Sequence, residues 1–334
     1  MVLCLRPRVD YDDVMSTGRQ TPAATRTTRA SVGFIALLLG LSSPLPALAQ
    51  LQAPPPPAPP AGTPETLATA QDFAARMTVE VMVNGQGPFP FVVDTGADRS
   101  VVSDTLARQL VLPAGPAALL HDITGTSRVE TAVVSRLGVG AREITNIIAP
   151  VLLERYLGAM GLLGIDAVAD QRLVIDFRAE QMTVIPSAAP REPEEEGAIV
   201  VKAKRRFGQL ILVDAAVGKD KVYVIVDTGA QNSIANSALR RRLTARRAFP
   251  IQTKLVSVTG GTAIAEMSVI PEMRLGELTV RDLPVAYSDV HTFRQFGITS
   301  KPAMLLGMDM LRIFERISLD FPQKKVRFLL KEAD

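Results

Sequence analysis

Phe91-Val92-Val93-Asp94-Thr95-Gly96-Ala97 recurs, almost letter for letter, as Val224-Ile225-Val226-Asp227-Thr228-Gly229-Ala230. Each copy is an apolar run of the kind that makes a buried strand, and each ends in an acidic residue followed by a Thr-Gly turn. One such heptapeptide says little. Two in matching contexts, with Asp94 and Asp227 offset by 133 positions, describe a duplicated half-site that supplies two carboxylates.

The repeat extends outward from these strands. Thr124-Gly125 in HDITGTSRVE answers Thr259-Gly260 in VSVTGGTAIAE; LLGID (162–166) answers LLGMD (305–309); LVIDF (173–177) answers ISLDF (317–321). The offsets grow from 133 through 135 to 143 and 144, so the second copy carries extra residues, placed near DVHTFRQFGITSK (289–301). A long period repeated only twice predicts two homologous lobes packed face to face, not a solenoid.

Around these landmarks the pattern is β. MTVEVMV (77–83), the turn NGQGP and FPFVVD form a predicted hairpin that presents Asp94 at the end of its second strand. QLILVDAAV (209–217), the turn GKDK and VYVIVD repeat the plan for Asp227. Short helical patterns follow in SDTLARQL and NSALRRRL, and LVIDFRAEQMTVI and ISLDFPQKKVRFLL read as hairpins closing each lobe. Gly96 and Gly229 suit a sharp turn whose backbone closely approaches a carboxylate, where a Cβ would clash.

Composition sets the boundaries. The chain has 334 residues and a formal net charge of +3, of which residues 1–49 supply +2, so the remainder has no bulk attraction to nucleic acid. The clusters KAKRR (202–206) and RRR (240–242) read as solvated faces. Arg26 and Arg29, the apolar stretch SVGFIALLLGL, a Pro-containing break and Ala47-Leu48-Ala49 form a signal-peptide pattern with cleavage after Ala49. The apolar stretch is too short to span a bilayer, so no stable membrane insertion is expected after cleavage. Translation could start at Met1 or Met15. The only cysteine, Cys4, lies ahead of the cleavage point, so no disulfide or thiol nucleophile is expected in the mature protein. The predicted organisation is a signal peptide over 1–49, a Pro-rich linker over 50–72, an N-terminal lobe over 73–186, a Pro- and Glu-rich interlobe linker over 187–197 and a C-terminal lobe over 198–334.

These motifs resemble the aspartic proteases, and within them the retropepsin-like branch: an apolar strand ending in Asp-Thr-Gly-Ala, a Gly-containing flap hairpin and an apolar-apolar-Gly segment, each present twice. The resemblance covers about 77–186 and 198–330. It implies an all-β protein of two closed retropepsin-like lobes related by a pseudo-two-fold axis, with a few short helices and an active site between the lobes. Both halves lie in one chain, so a monomer with an intramolecular site is expected. By the resemblance Asp94 and Asp227 are catalytic, and Thr95 and Thr228 bond across the interface. Asp98 accepts a hydrogen bond from substrate backbone, a role in doubt for Gln231 in the second copy, and Gly125 and Gly260 mark the flap tips.

Two adjacent carboxylates share one proton, because both cannot ionise cheaply, so one acts as base while the other is acid. Such a pair activates water against a peptide carbonyl without cofactor, metal or covalent intermediate. Ala97 and Ala230 stand where pepsin-like relatives carry Ser or Thr; lacking that hydroxyl donor, the pair should hold its proton to higher pH, giving an optimum at roughly pH 4–6.5. His121 and His291, the only histidines, lie on different elements, which argues against zinc and leaves His121 as a surface residue. Asp166, Asp309, Asp176 and Asp320 read as structural. Two functions remain open: an exported aspartic endopeptidase acting on extended peptide or protein segments, and a non-catalytic peptide-binding protein that keeps the same fold.

Overall fold

Asn84 and Gly85 both take positive φ, the geometry of the tight turn that suits the twist of paired strands, and they join Met77–Val83 to Gln86–Val93. This is the hairpin that carries Asp94. The computed structural model describes residues 4–6, 64–72, 75–186, 197–243 and 251–331. The apolar stretch and cleavage site of the leader, the Pro-rich run 50–63 and interlobe residues 187–196 lie outside the described residues.

The fold is all-β, in two lobes with short helices. In the first lobe Gly161–Leu163 runs parallel to Phe91, Val92 and Val93, and antiparallel to Val101–Ser103. In the second, Ala303–Leu306 runs parallel to Tyr223–Val226 and antiparallel to Ile234–Ala235. Each Asp-Thr-Gly strand is therefore flanked by the Leu-Leu-Gly strand of its own repeat. Long hairpins rise from each lobe as flaps: Ala114–His121 with Thr126–Val139, and Ile251–Val256 with Thr262–Leu275. The extra residues of the second copy fall before its Leu-Leu-Gly strand, where 288–302 stand against 153–160 and form the helix His291–Gln295. Among the described residues no helix is long and apolar enough to cross a membrane.

The closing hairpins do more than the sequence suggests. Gln171–Asp176 pairs antiparallel with Phe314–Asp320, so the two hairpins join the lobes in one sheet instead of each sealing its own lobe. Arg172 stands opposite Asp320 and Asp176 opposite Arg316, a charge-complementary register that obeys the pseudo-two-fold. The Arg316 guanidinium donates to Asp176 Oδ2 at 2.9 Å and 3.0 Å. Ile199–Arg206 and Glu65–Ala68 form the outer strands of this sheet. The largest apolar cluster runs through it, from Phe91 and Val79 by way of Leu173, Ile175, Ile317 and Leu319 to Val224 and Leu283.

Two further differences from the sequence reading are local. Within the stretch 50–72 assigned to a linker, Glu65–Ala68 and Ala70–Gln71 are paired strands, because Leu67 packs onto the core and Asp72 is held by Arg76. Cys4–Arg6, inside the expected leader, pairs antiparallel with the flap strand at Leu119, Leu120 and His121.

Candidate active site

The two Asp-Thr-Gly turns meet where the lobes join. Asp94 and Asp227 are 1% and 0% exposed. Each is delivered by its strand and pinned by the neighbouring Leu-Leu-Gly segment, since the Asp94 N–H donates to Leu163 O and the Asp227 N–H to Leu306 O, both at 3.0 Å. Gly96 N–H donates to Asp94 Oδ1 at 2.8 Å; the N–H groups of Gly229 and Ala230 donate to Asp227 Oδ1 at 3.1 Å. A Cβ on Gly229 would overlap the Asp94 carboxylate, so the absence of a side chain there lets the opposite turn approach the acid.

Thr95 and Thr228 cross-link the turns. The Thr228 hydroxyl accepts from Thr95 N–H at 3.0 Å and donates to Val93 O at 2.7 Å, and the Thr95 hydroxyl accepts from Thr228 N–H at 3.2 Å and donates to Val226 O at 3.1 Å. Four buried backbone groups are thereby satisfied by two side chains from opposite lobes. Behind each turn an aspartate ties the loop down. Asp166 accepts from Ser100 N–H and Oγ–H, and Asp309 from Ser233 N–H and Oγ–H. A Cβ on Gly164 or Gly307 would strike the backbone of Arg99 or Asn232, which explains the glycine in each Leu-Leu-Gly.

Burial, with the charge of Asp227 adding to it, pushes the Asp94 carboxyl up to about 7, against the opposing pull of Gly96 N–H and Arg76. A carboxyl that keeps its proton to this pH beside a second carboxylate is suited to act as an acid while its neighbour acts as a base.

The flaps are closed over the turns. Ile123, at the first flap tip, is buried among second-lobe residues including Ile225, Ile234 and Phe293, and Val258, at the second, among first-lobe residues including Val92, Leu120 and Leu162. Asp122 accepts from Thr124 N–H and Oγ–H at 2.7 Å within its own flap and from Thr259 Oγ–H of the other flap at 2.5 Å. Burial works to raise the Asp122 pKa, but hydrogen bonds from Thr259, Thr124 and Ser257 more than reverse this and hold it below the ordinary range. Gly125 lies in the first flap turn and also donates its N–H to Asp122 Oδ1; Gly260, at φ 84°, lies in the second, where the Tyr156 ring leaves no room for a Cβ. Asp98 and Gln231 occupy matching positions beyond the two turns, and only Gln231 lines the cavity beside them.

Several of these residues escaped the sequence reading. Arg76 donates to Gly229 O at 3.4 Å and also to Leu157 O, while Gln209 donates to Gly96 O at 2.6 Å. The two sit 133 positions apart, the same offset as the Asp-Thr-Gly turns, so the repeat itself held the signal. The histidines are corrected too: His121 Nδ1 lies 3.0 Å from His291 Nε2, because the helix His291–Gln295 is carried to the first flap, where His291 N–H donates to Ile123 O.

A gag-polyprotein aspartyl protease family model matches residues 79–170, and an aspartyl protease family model matches residues 213–310. No curated protein matches the chain in sequence. With one match on each lobe, and an Asp-Thr-Gly turn inside each, the chain belongs to the retropepsin-like aspartyl proteases in a two-domain form.

Proposed function

We propose that this protein is an exported aspartic endopeptidase that hydrolyses peptide bonds with a water activated between Asp94 and Asp227. The observation that carries the reading is the pair itself: two buried carboxylates at the ends of matching strands, their turns locked by Thr95 and Thr228, with Gly229 against the Asp94 carboxylate. The charged member takes a proton from water as the oxygen attacks the carbonyl carbon, and the protonated member hydrogen-bonds the carbonyl oxygen as it gains charge. Collapse of the resulting gem-diol breaks the C–N bond, the nitrogen leaves with a proton from the dyad, and the products are one acid and one amine. Burial of the pair favours a proton held on it, which supplies the acid at the start of this cycle.

Both carboxylates come from one chain, which supports a monomeric enzyme. The flap turns bearing Gly125 and Gly260, with Asp98 and Gln231, are assigned to holding an extended peptide substrate. Export rests on the leader residues Arg26 to Ala49, and places the enzyme in the periplasm or outside the cell. The test is incubation of the mature protein with a diverse peptide library, with and without a statine-type inhibitor, and mass spectrometry of the products. Inhibitor-sensitive cleavage in the monomer fraction is expected. Absence of cleavage, or cleavage confined to a dimer fraction, overturns the reading.

A further inference from the structure

Beside the Asp227 turn and under the second flap lies a cavity of about 370 Å³. Its lining includes three cationic residues, Arg76, Arg155 and Lys254, and no acidic one. The charge of Arg76 is answered by Asp72, which meets its guanidinium at 2.5 Å. Arg155 and Lys254 form no ion pair among the described residues; Arg155 lies 4.8 Å above the Tyr156 ring. Apolar walls from Ile123, Leu255 and Leu305 surround them.

The pseudo-two-fold supplies an internal control. Arg76 and Gln209 occupy matching places, since each donates to the carbonyl of the glycine in the opposite turn. By the flap offset Lys254 matches Leu119, and by the turn offset Gln231 matches Asp98. At the positions matching Arg76, Lys254 and Gln231, which line this cavity, the other repeat has Gln209, Leu119 and Asp98. The turns and flap strands are shared, and the charge at these matching positions is not; Arg155 lies in 153–160, the segment that the insertion 288–302 replaces in the second copy.

We propose that the cavity beside Asp227 is a specificity subsite for a carboxylate-bearing substrate residue, Asp or Glu, and that the cleft consequently accepts a peptide in one direction. The inference rests on the peptidase reading for its biological meaning, but not for its test. A carboxylate entering this apolar-walled space meets two cations that have no acidic partner, at lower effective dielectric than bulk water. Both cations remain partly in solvent, so each contributes modestly, and together they favour Glu over the isosteric Gln by about tenfold. Salt weakens the preference.

The test uses the full chain carrying Asp94→Asn, so that binding is read without turnover, and fluorescein-labelled decapeptide pools in which one position at a time is fixed as Glu, Gln or Lys. Glu at one position should bind about tenfold more tightly than Gln, with Lys weakest, and the difference should shrink between 50 and 500 mM NaCl by the screening of exposed charges. In the Arg155→Glu/Lys254→Glu double variant the order should invert; Arg155→Gln/Lys254→Gln, which adds no repulsion, should abolish it. Equal binding of the three pools, no binding at all, or a Glu preference that survives charge reversal overturns the subsite. Charge-selective binding to the variant together with a failure of the active chain to cleave any pool overturns the peptidase reading alone.

Discussion

The half-site around Asp94 and the half-site around Asp227 are built from the same parts up to the edge of the cleft and from different parts beyond it. In both, a Leu-Leu-Gly strand pins the aspartate, a serine and a second aspartate tie the loop, and a threonine reaches into the opposite turn. At the cleft the pairing breaks: Arg76 against Gln209, Lys254 against Leu119, Asp98 against Gln231. The positions that repeat are those whose hydrogen bonds satisfy buried backbone, where any other side chain would leave a donor or acceptor stranded. Of those that differ, Arg76, Lys254 and Gln231 line the cavity beside the second turn, while Arg76 and Gln209 bond the turn glycines with different side chains, so the comparison separates what the two carboxylates require from what a ligand can meet on one side.

The comparison breaks most severely at the acids. Asp94→Asn and Asp227→Asn should each lower kcat by at least about 10³-fold with the fold retained, since one carboxylate cannot fill both roles; circular dichroism and a peptide assay check this. Asp94→Asn also has a signature in stability. The folded pKa of about 7 lies above the ordinary carboxylate value of 3.8, so the folded state binds the extra proton and wild-type stability falls as pH rises through that window. The Asn variant lacks this dependence, and its melting temperature relative to wild type should rise by a few degrees, as an order of magnitude, between pH 4 and pH 7.

Thr95→Ala and Thr228→Ala probe the shared scaffold and should prove equivalent. Each strands two buried backbone groups and should cost about 2–4 kcal/mol, with the double mutant well short of additive, as measured by urea denaturation. The flap tips are next. Ile123→Ala removes more buried side chain than Val258→Ala and should cost about 2–3 kcal/mol against a smaller loss for valine, with KM rising in both. Ala97→Ser and Ala230→Ser, which restore a donor to each acid, should together move the pH profile of kcat/KM toward acid by about one unit. The smallest effect is at the histidines. Burial first, then Arg294, depresses the His291 pKa, while Asp122 works the other way and His121 stacks on the ring. Its stabilising contribution is therefore present above the ordinary value near 6.5 and lost as pH falls toward the folded pKa. His291→Gln should flatten the fall in melting temperature between pH 7 and 5.5 by about 1–2 °C.

Much of the two-lobed plan was legible because strands buried on both faces leave long apolar runs, and because duplication let each half check the other. The Asp-Thr-Gly turns and flap glycines could be placed from sequence for that reason. What stayed hidden depends on register between distant segments. Arg172 and Asp320, or Asp176 and Arg316, are complementary only once Gln171–Asp176 is known to lie against Phe314–Asp320. Ile123 and Val258 are lone apolar residues in polar turns, and nothing local says that each is buried in the other lobe. His121 and His291 meet because an insertion in one repeat reaches the flap of the other. Arg76 and Gln209 were legible in principle, since the repeat and its offset of 133 extend back to the start of the first strand.

The sheet that joins the lobes also bears on how the chain reaches its native state. Arg172 and Asp320 are opposite one another in space yet 148 positions apart in sequence, so their pairing closes a long loop and belongs among the slow steps of folding. During synthesis the first lobe emerges with Gln171–Asp176 lacking its neighbour on one side, and that bare edge persists until the last hairpin, Phe314–Leu330, has been made. An open, largely apolar edge is a template for pairing with another nascent chain. Arg172 and Asp176 sit on that edge and are met by Asp320 and Arg316 of the last hairpin; because the same Arg-x-x-x-Asp spacing occurs in both strands, the edge is equally complementary to its own copy in a neighbouring chain until that hairpin arrives.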